Sequence, residues 1–188
     1  MNVVRKKAPP AKRHGSADDV NADDALELLT AEHNAIEKMI REFDRHCRTM
    51  ESLEKGKLAL RICHALATHH AVKSEIFYPA AEAVLEDEDR IRVDALRMDH
   101  RVLLDLIDEI EHMAAEQDGF DSHVRDLGDL ASRLMKAEEE DIFPRLRHSK
   151  LDLVGTGERM TARRSELTTR PIDRAQIHQA RKVMGGRP

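Results

Sequence analysis

The stretch ALELLTAEHNAIEKMIREFDRHC, residues 25–47, decides the fold. Its apolar residues recur as Leu26, Leu29, Ile36, Ile40, Phe43 and Cys47, the three-and-four spacing of a single helical face, with Asp23 or Asp24 placed to cap the first turn. That stripe has one gap, and His33 fills it. An imidazole thus stands where the pattern calls for a leucine.

The same pattern returns three times. Leu58, Ile62, Ala65, Val72 and Ile76 define a second helix starting near residues 54–57, with His69 in the apolar register. Val93, Leu96, Leu103, Ile107 and Ile110 define a third, completed by His100, and Val124, Leu127, Ala131, Leu134 and Ile142 a fourth, completed by Glu138. Pro79 and Pro144 are expected to end or kink helices 2 and 4, because the ring removes a backbone donor and clashes with the preceding turn. The acidic run at residues 86–89 and the Asp118-Gly119 pair mark connections. Leu153, Met160 and Leu167, seven apart, predict a further short helix within residues 150–168.

Four long helices joined by short connections predict an all-α, up-down-up-down antiparallel four-helix bundle over residues 23–168. The depth of each polar residue can be compared by counting back from turns near residues 53, 87 and 118. At a rise of about 1.5 Å per residue the four side chains fall within about 3–8 Å of one level. They are expected to meet in one layer.

Composition agrees. The chain has 188 residues, of which 36% are charged and 3% aromatic, with no Trp, as a helical domain rich in surface charge would have. No apolar run approaches a membrane span and no hydrophobic leader is evident at the N-terminus, so a cytoplasmic location is expected. Charge is uneven: residues 1–14 carry +5, residues 170–188 carry +4 and the body between carries −14. Residues 1–22 and 169–188 are therefore read as basic, disordered arms. Lacking aromatic residues for base stacking, these arms predict no nucleic-acid partner. Cys47 and Cys63 lie within helical patterns and form no CxxC pair, and are read as small buried hydrophobes. The densely charged faces predict a monomer or a weak homodimer.

Function must then come from the four polar residues. A lone core histidine is ordinarily satisfied by a backbone carbonyl or a carboxylate. Three histidines and a glutamate in one layer need mutual partners or a cation, since unpaired burial costs several kcal/mol. His33, His69, His100 and Glu138 are therefore candidate metal ligands. His14, His46, His64, His112, His123, His148 and His178 fall off the stripes or in the arms and are read as surface residues. No nucleophile triad, phosphate loop or nucleotide fingerprint is apparent, so catalysis has no support beyond a metal.

With EHNAIEKM (32–39), THHAVKSEIFYPAAEA (68–83), RMDHRVLLDLIDEIE (97–111) and KAEEEDIFPRL (136–146), the chain resembles the hemerythrin-like HHE cation-binding domains over roughly residues 24–168. The EIFYP and EDIFP endings are the most specific part of the likeness. The resemblance implies a non-haem di-iron centre with carboxylate bridges, serving O2 or NO binding, iron handling, sensing or peroxide handling. Its ligands would be a His from helix 1, His-x-x-x-Glu from helix 2, a His from helix 3 and His-x-x-x-Glu from helix 4.

Carried over residue by residue, His33, His69, His100 and Glu138 fit that pattern. Lys73 stands where the helix 2 glutamate is expected, and Leu134 where the helix 4 histidine is expected. Three arrangements stay open. In one, His33, His69 and Glu138 form a two-histidine, one-carboxylate site for a single non-haem iron, with His100 as a fourth ligand. In another, Lys73 and Glu138 pair in the space of the metals and Leu134 fills the volume of the lost imidazole, giving a metal-free structural or regulatory bundle. A third uses His70 with Glu75, which a regular helix sets about 140° apart.

Overall fold

The computed structural model describes residues 24–169, and within them every regular element is helical. Helix α1 spans Ala25–His46. Asp24 caps it, its carboxylate accepting from the N–H groups of Leu26 at 2.8 Å and Glu27 at 2.9 Å and so satisfying two of the orphan donors of the first turn. Helix α2 begins with Ser52–Val72, passes through a π-helical turn at Lys73–Phe77 and continues as Tyr78–Glu82. Helix α3 spans Asp87–Glu111. Helix α4 repeats the construction of α2, with Phe120–Ala137, a π-helical turn at Glu138–Ile142 and Phe143–Arg147. Helix α5 spans Leu153–Thr169.

The first four helices form the up-down-up-down bundle. Each packs on its neighbour in sequence and α1 closes the ring against α4. The core is the set of stripes read along the chain: Leu26, Leu29, Ile36 and Phe43 from α1, Leu58 and Ile62 from α2, Val93, Leu103 and Ile107 from α3, and Val124, Leu127, Ala131 and Leu134 from α4. Gly119 makes the turn into α4 with φ +89°, a left-handed conformation that glycine adopts without steric cost. Cys47 and Cys63 are buried and unpaired, and burial pushes the Cys63 thiol up to about 12. Helix α5 is fuller than a short appendage. It runs for 17 residues, buries Met160 and Leu167, and lies against α1 and α2.

The prolines do not end the long helices. A regular helix would ask Pro79 for an N–H that it lacks and would press its ring on the preceding turn. In the π-turn the Tyr78 N–H bonds to the Lys73 carbonyl, and in α4 the Phe143 N–H bonds to the Glu138 carbonyl, one residue farther back than in an α-helix. The extra residue absorbs the mismatch, so each rod continues beyond its proline. The two basic arms expected at residues 1–22 and 169–188 lie outside the described residues, apart from Thr169. Among the described residues no helix is long and apolar enough to cross a membrane.

The α1–α4 contact is tight at Gly128, where an added Cβ would come within 2.8 Å of Ile40 Cγ2. Gly128→Val is expected to destabilise the bundle by about 1–3 kcal/mol, the usual consequence of overpacking, as read from urea unfolding. An unchanged midpoint would show that the two helices have slack there.

Candidate metal centre

The polar layer gathers around Glu138, whose carboxylate is wholly buried. Glu138 opens the π-turn of α4 six residues before Pro144, and Lys73 opens the π-turn of α2 six residues before Pro79. The two face each other. Lys73 Nζ donates to both oxygens of Glu138, at 2.6 and 2.8 Å, and lies 3.2 Å from His100 Nε2. His100 Nδ1 donates to the Leu96 carbonyl at 2.6 Å, which leaves Nε2 as an acceptor when the ring is neutral. The three protons of the ammonium thus have three acceptors. Tyr78 completes the shell by donating its hydroxyl to Glu138 Oε1.

The other side of the carboxylate is built differently. His33, His69 and Glu138 each place a ligand atom so that the three lie within 4.8 Å of one another. His33 Nε2 is 3.4 Å from Glu138 Oε2, too long for a strong hydrogen bond. Neither His33 Nε2 nor His69 Nε2 has a hydrogen-bond partner among the described residues, although both rings are buried. Each ring is instead held from behind. His33 Nδ1 meets Glu139 Oε1 at 2.7 Å, and His69 Nδ1 meets Glu32 Oε2 at 2.7 Å. Ionised carboxylates only accept, so these contacts put the ring protons on Nδ1 and leave Nε2 of a neutral ring with its lone pair facing the cluster. Such carboxylate–imidazole pairs are the usual support behind metal-binding histidines.

Electrostatics follow from burial. Burial alone pushes the Glu138 carboxyl up, but the Lys73 ammonium, with His33 and His100, outweighs it and holds Glu138 well below the usual carboxylate range. Burial pulls His69 well below its usual value, His70 down to about 3 and His100 down to about 4, with Lys73 adding repulsion in each case. These three rings are neutral near pH 7, the form in which imidazole binds metals. Burial likewise raises Glu32, against the pull of Arg164.

The four candidate ligands therefore separate. His33, His69 and Glu138 converge, while His100 lies across the carboxylate as a partner of Lys73. Leu134 is buried in the apolar core. The His70 and Glu75 pairing is not formed: His70 stacks on His100 with ring centroids 4.9 Å apart, and Glu75 lies half-exposed in an ion pair with Arg163. Glu32, Glu139 and Tyr78 escaped the sequence reading. Glu32 and Glu139 directly adjoin His33 and Glu138, a neighbourly signal that helix periodicity discards as solvent-facing. Tyr78 stands five residues from Lys73, off its face in a regular helix.

The sequence profile of the Hemerythrin HHE cation binding domain matches residues 24–146, and the chain belongs to that family. Its fold is similar to the crystal structure of a Hemerythrin HHE cation binding domain-containing protein from Mycobacterium kansasii. That likeness has a TM-score of 0.64 at 20% sequence identity and covers 77% of this chain and 86% of the other. No curated protein matches the chain. The domain is thus a hemerythrin-like helical bundle with a buried His/His/Glu cluster.

Two outcomes test this description in metal-free protein. Lys73→Met should cost about 3–5 kcal/mol at pH 7, because it leaves a buried carboxylate without its cation. In the wild type, the depressed Glu138 value contributes stability that is full above the unfolded value of about 4.3 and is lost as pH falls toward the folded one. In the variant, burial unopposed by Lys73 favours protonation. The stability gap in urea should therefore narrow between pH 7 and pH 4, and a constant gap would deny the pair. Separately, the unfolded chain binds protons at His70 and His100 before the folded one does. Stability should fall as pH drops from about 6.5 toward about 4, by up to about 1.4 kcal/mol per unit for each ring. A flat profile between pH 7 and pH 5 would show that these rings are not held neutral.

Proposed function

We propose that this protein is a hemerythrin-like domain that holds a single divalent cation, iron in the first instance, between His33, His69 and Glu138. The observation that carries the reading is the pair of buried, unpartnered Nε2 atoms, each aimed inward by a carboxylate on its Nδ1. Leaving two such acceptors buried without a partner costs about 1–3 kcal/mol apiece, and a cation would satisfy both together with Glu138 Oε2. Two imidazoles and one carboxylate also form the donor set suited to non-haem iron.

Bound there, iron would supply open coordination positions for O2, NO or peroxide. The protein's own residues prepare that chemistry. Glu32 and Glu139 fix the ring tautomers. Phe143 stacks on His33 with centroids 5.9 Å apart and meets Phe77 edge-on at 6.0 Å, lining this side with apolar surface that excludes water. Lys73 takes the opposite side of the carboxylate, where its ammonium supplies one positive charge in place of a second cation. On this reading the domain senses or carries a small ligand or handles iron, and turnover is not implied.

The closed Lys73–Glu138 pair favours a second reading, a metal-free bundle that acts through its surface. Mass-spectrometric metal analysis of untagged protein from iron-supplemented culture separates the two. About one iron per chain is expected, falling severalfold in His33→Ala and His69→Ala. Absence of metal from the well-folded wild type would establish the metal-free alternative. Equal iron in wild type and both variants would remove these residues from the ligand set.

A further inference from the structure

We propose that Arg164 of α5 is a positioning residue for the metal centre, reaching His69 through Glu32 and so tying cation affinity to the seating of the C-terminal helix. The inference rests on the single-cation reading above. Its basis is a split carboxylate. Glu32 Oε2 lies 2.7 Å from His69 Nδ1, and its other oxygen, Oε1, accepts from Arg164 Nη1 at 2.7 Å. Glu32 is 6% exposed, whereas Arg164 is 45% exposed, so a surface guanidinium is two hydrogen bonds from a buried candidate ligand.

The chemistry of each group fixes its task. A carboxylate buried beside an imidazole needs a second partner for its outer oxygen, or it turns toward solvent. Arg164 supplies that partner and keeps Glu32 oriented. Glu32 in turn keeps the His69 proton on Nδ1 and Nε2 directed at Glu138. Withdrawing Arg164 frees Glu32 to rotate, and His69 loses its rear hydrogen bond. Arg163, the preceding residue of α5, has a different partner. Its Nε donates to Glu75 Oε2 at 2.6 Å and its Nη2 to Glu75 Oε1 at 3.2 Å. It fastens the same helix to the π-turn of α2 without touching either histidine, which makes it the control for simple docking of α5.

The experiment follows Co(II) binding by visible absorption in the full-length wild type and in Arg164→Ala, Arg164→Lys and Arg163→Ala. Removing a residue that supports a metal ligand typically weakens affinity 10–100-fold. Arg164 stands one bond farther out, so Arg164→Ala should lose about tenfold. Arg164→Lys, which keeps the charge, should recover part of the loss, and Arg163→Ala should stay within about twofold of wild type. Equal losses in Arg163→Ala and Arg164→Ala would overturn the proposal in favour of general docking, and no loss in Arg164→Ala would overturn it outright.

A second readout needs no metal. In chelator-treated protein the His69 Nδ1 proton should give a slowly exchanging NMR signal in wild type and Arg163→Ala that broadens or disappears in Arg164→Ala. Its persistence in Arg164→Ala would refute the link. Failure of wild-type protein to take up Co(II), with the signal changing as expected, would refute the cation reading while keeping the connection from Arg164 to His69.

Discussion

A carboxylate with no exposure to water organises the middle of this bundle. Glu138 can remain ionised there only because protons converge on it, from Lys73 on both oxygens and from Tyr78 on one. The attraction within such a pair roughly offsets the desolvation of its two charges, so its effect is less to add stability than to prescribe which groups must be adjacent. Lys73 must come from α2, Glu138 from α4 and His100 from α3. Any slip of one helix would strand a charge in the core. The apolar stripes supply the driving force for folding, and the ionic layer sets the register.

The π-turns give this layer its symmetry. Each begins at the central charged residue and ends just before the aromatic-proline pair, Tyr78-Pro79 in α2 and Phe143-Pro144 in α4. The bundle therefore has two equivalent positions, one bearing a cation and the other an anion. Around the anion the environment divides. One side is saturated with donors, and the other presents two imidazole acceptors with nothing to accept. That imbalance distinguishes this core from one built only for packing, where buried acceptors would be matched internally.

Much of this was legible in the sequence. The stripe of Leu26, Leu29, Ile36 and Ile40 located His33, and the corresponding stripes located His69, His100 and Glu138, because a period of 3.6 residues fixes which face a residue occupies. The likeness between EIFYP and EDIFP aligned Lys73 with Glu138. The supporting residues were harder to see. Glu32 and Glu139 sit beside core positions, where periodicity assigns them to solvent, and only the packing of one helix on another, Glu32 of α1 against His69 of α2 and Glu139 of α4 against His33 of α1, brings their carboxylates to the rings. Tyr78 depends on the π-turn, which inserts a residue into the count. Arg164 depends on how α5 lies across α1, a tertiary matter that no local pattern carries. The depth count placed all four polar residues in one layer and could not resolve which side of the carboxylate each would occupy.

The aromatic economy of the chain has an optical consequence. It contains one Tyr and no Trp, and that Tyr is buried with its hydroxyl on Glu138 and its ring 5.6 Å from Lys73 Nζ. Nearly all intrinsic ultraviolet fluorescence must therefore originate from a single phenol at the centre of the ionic layer. Burial and Glu138 together hold that phenol well above its usual ionisation range, so it absorbs as the neutral form. The molecule thus carries its own dye, located at the carboxylate on which both halves of the site converge.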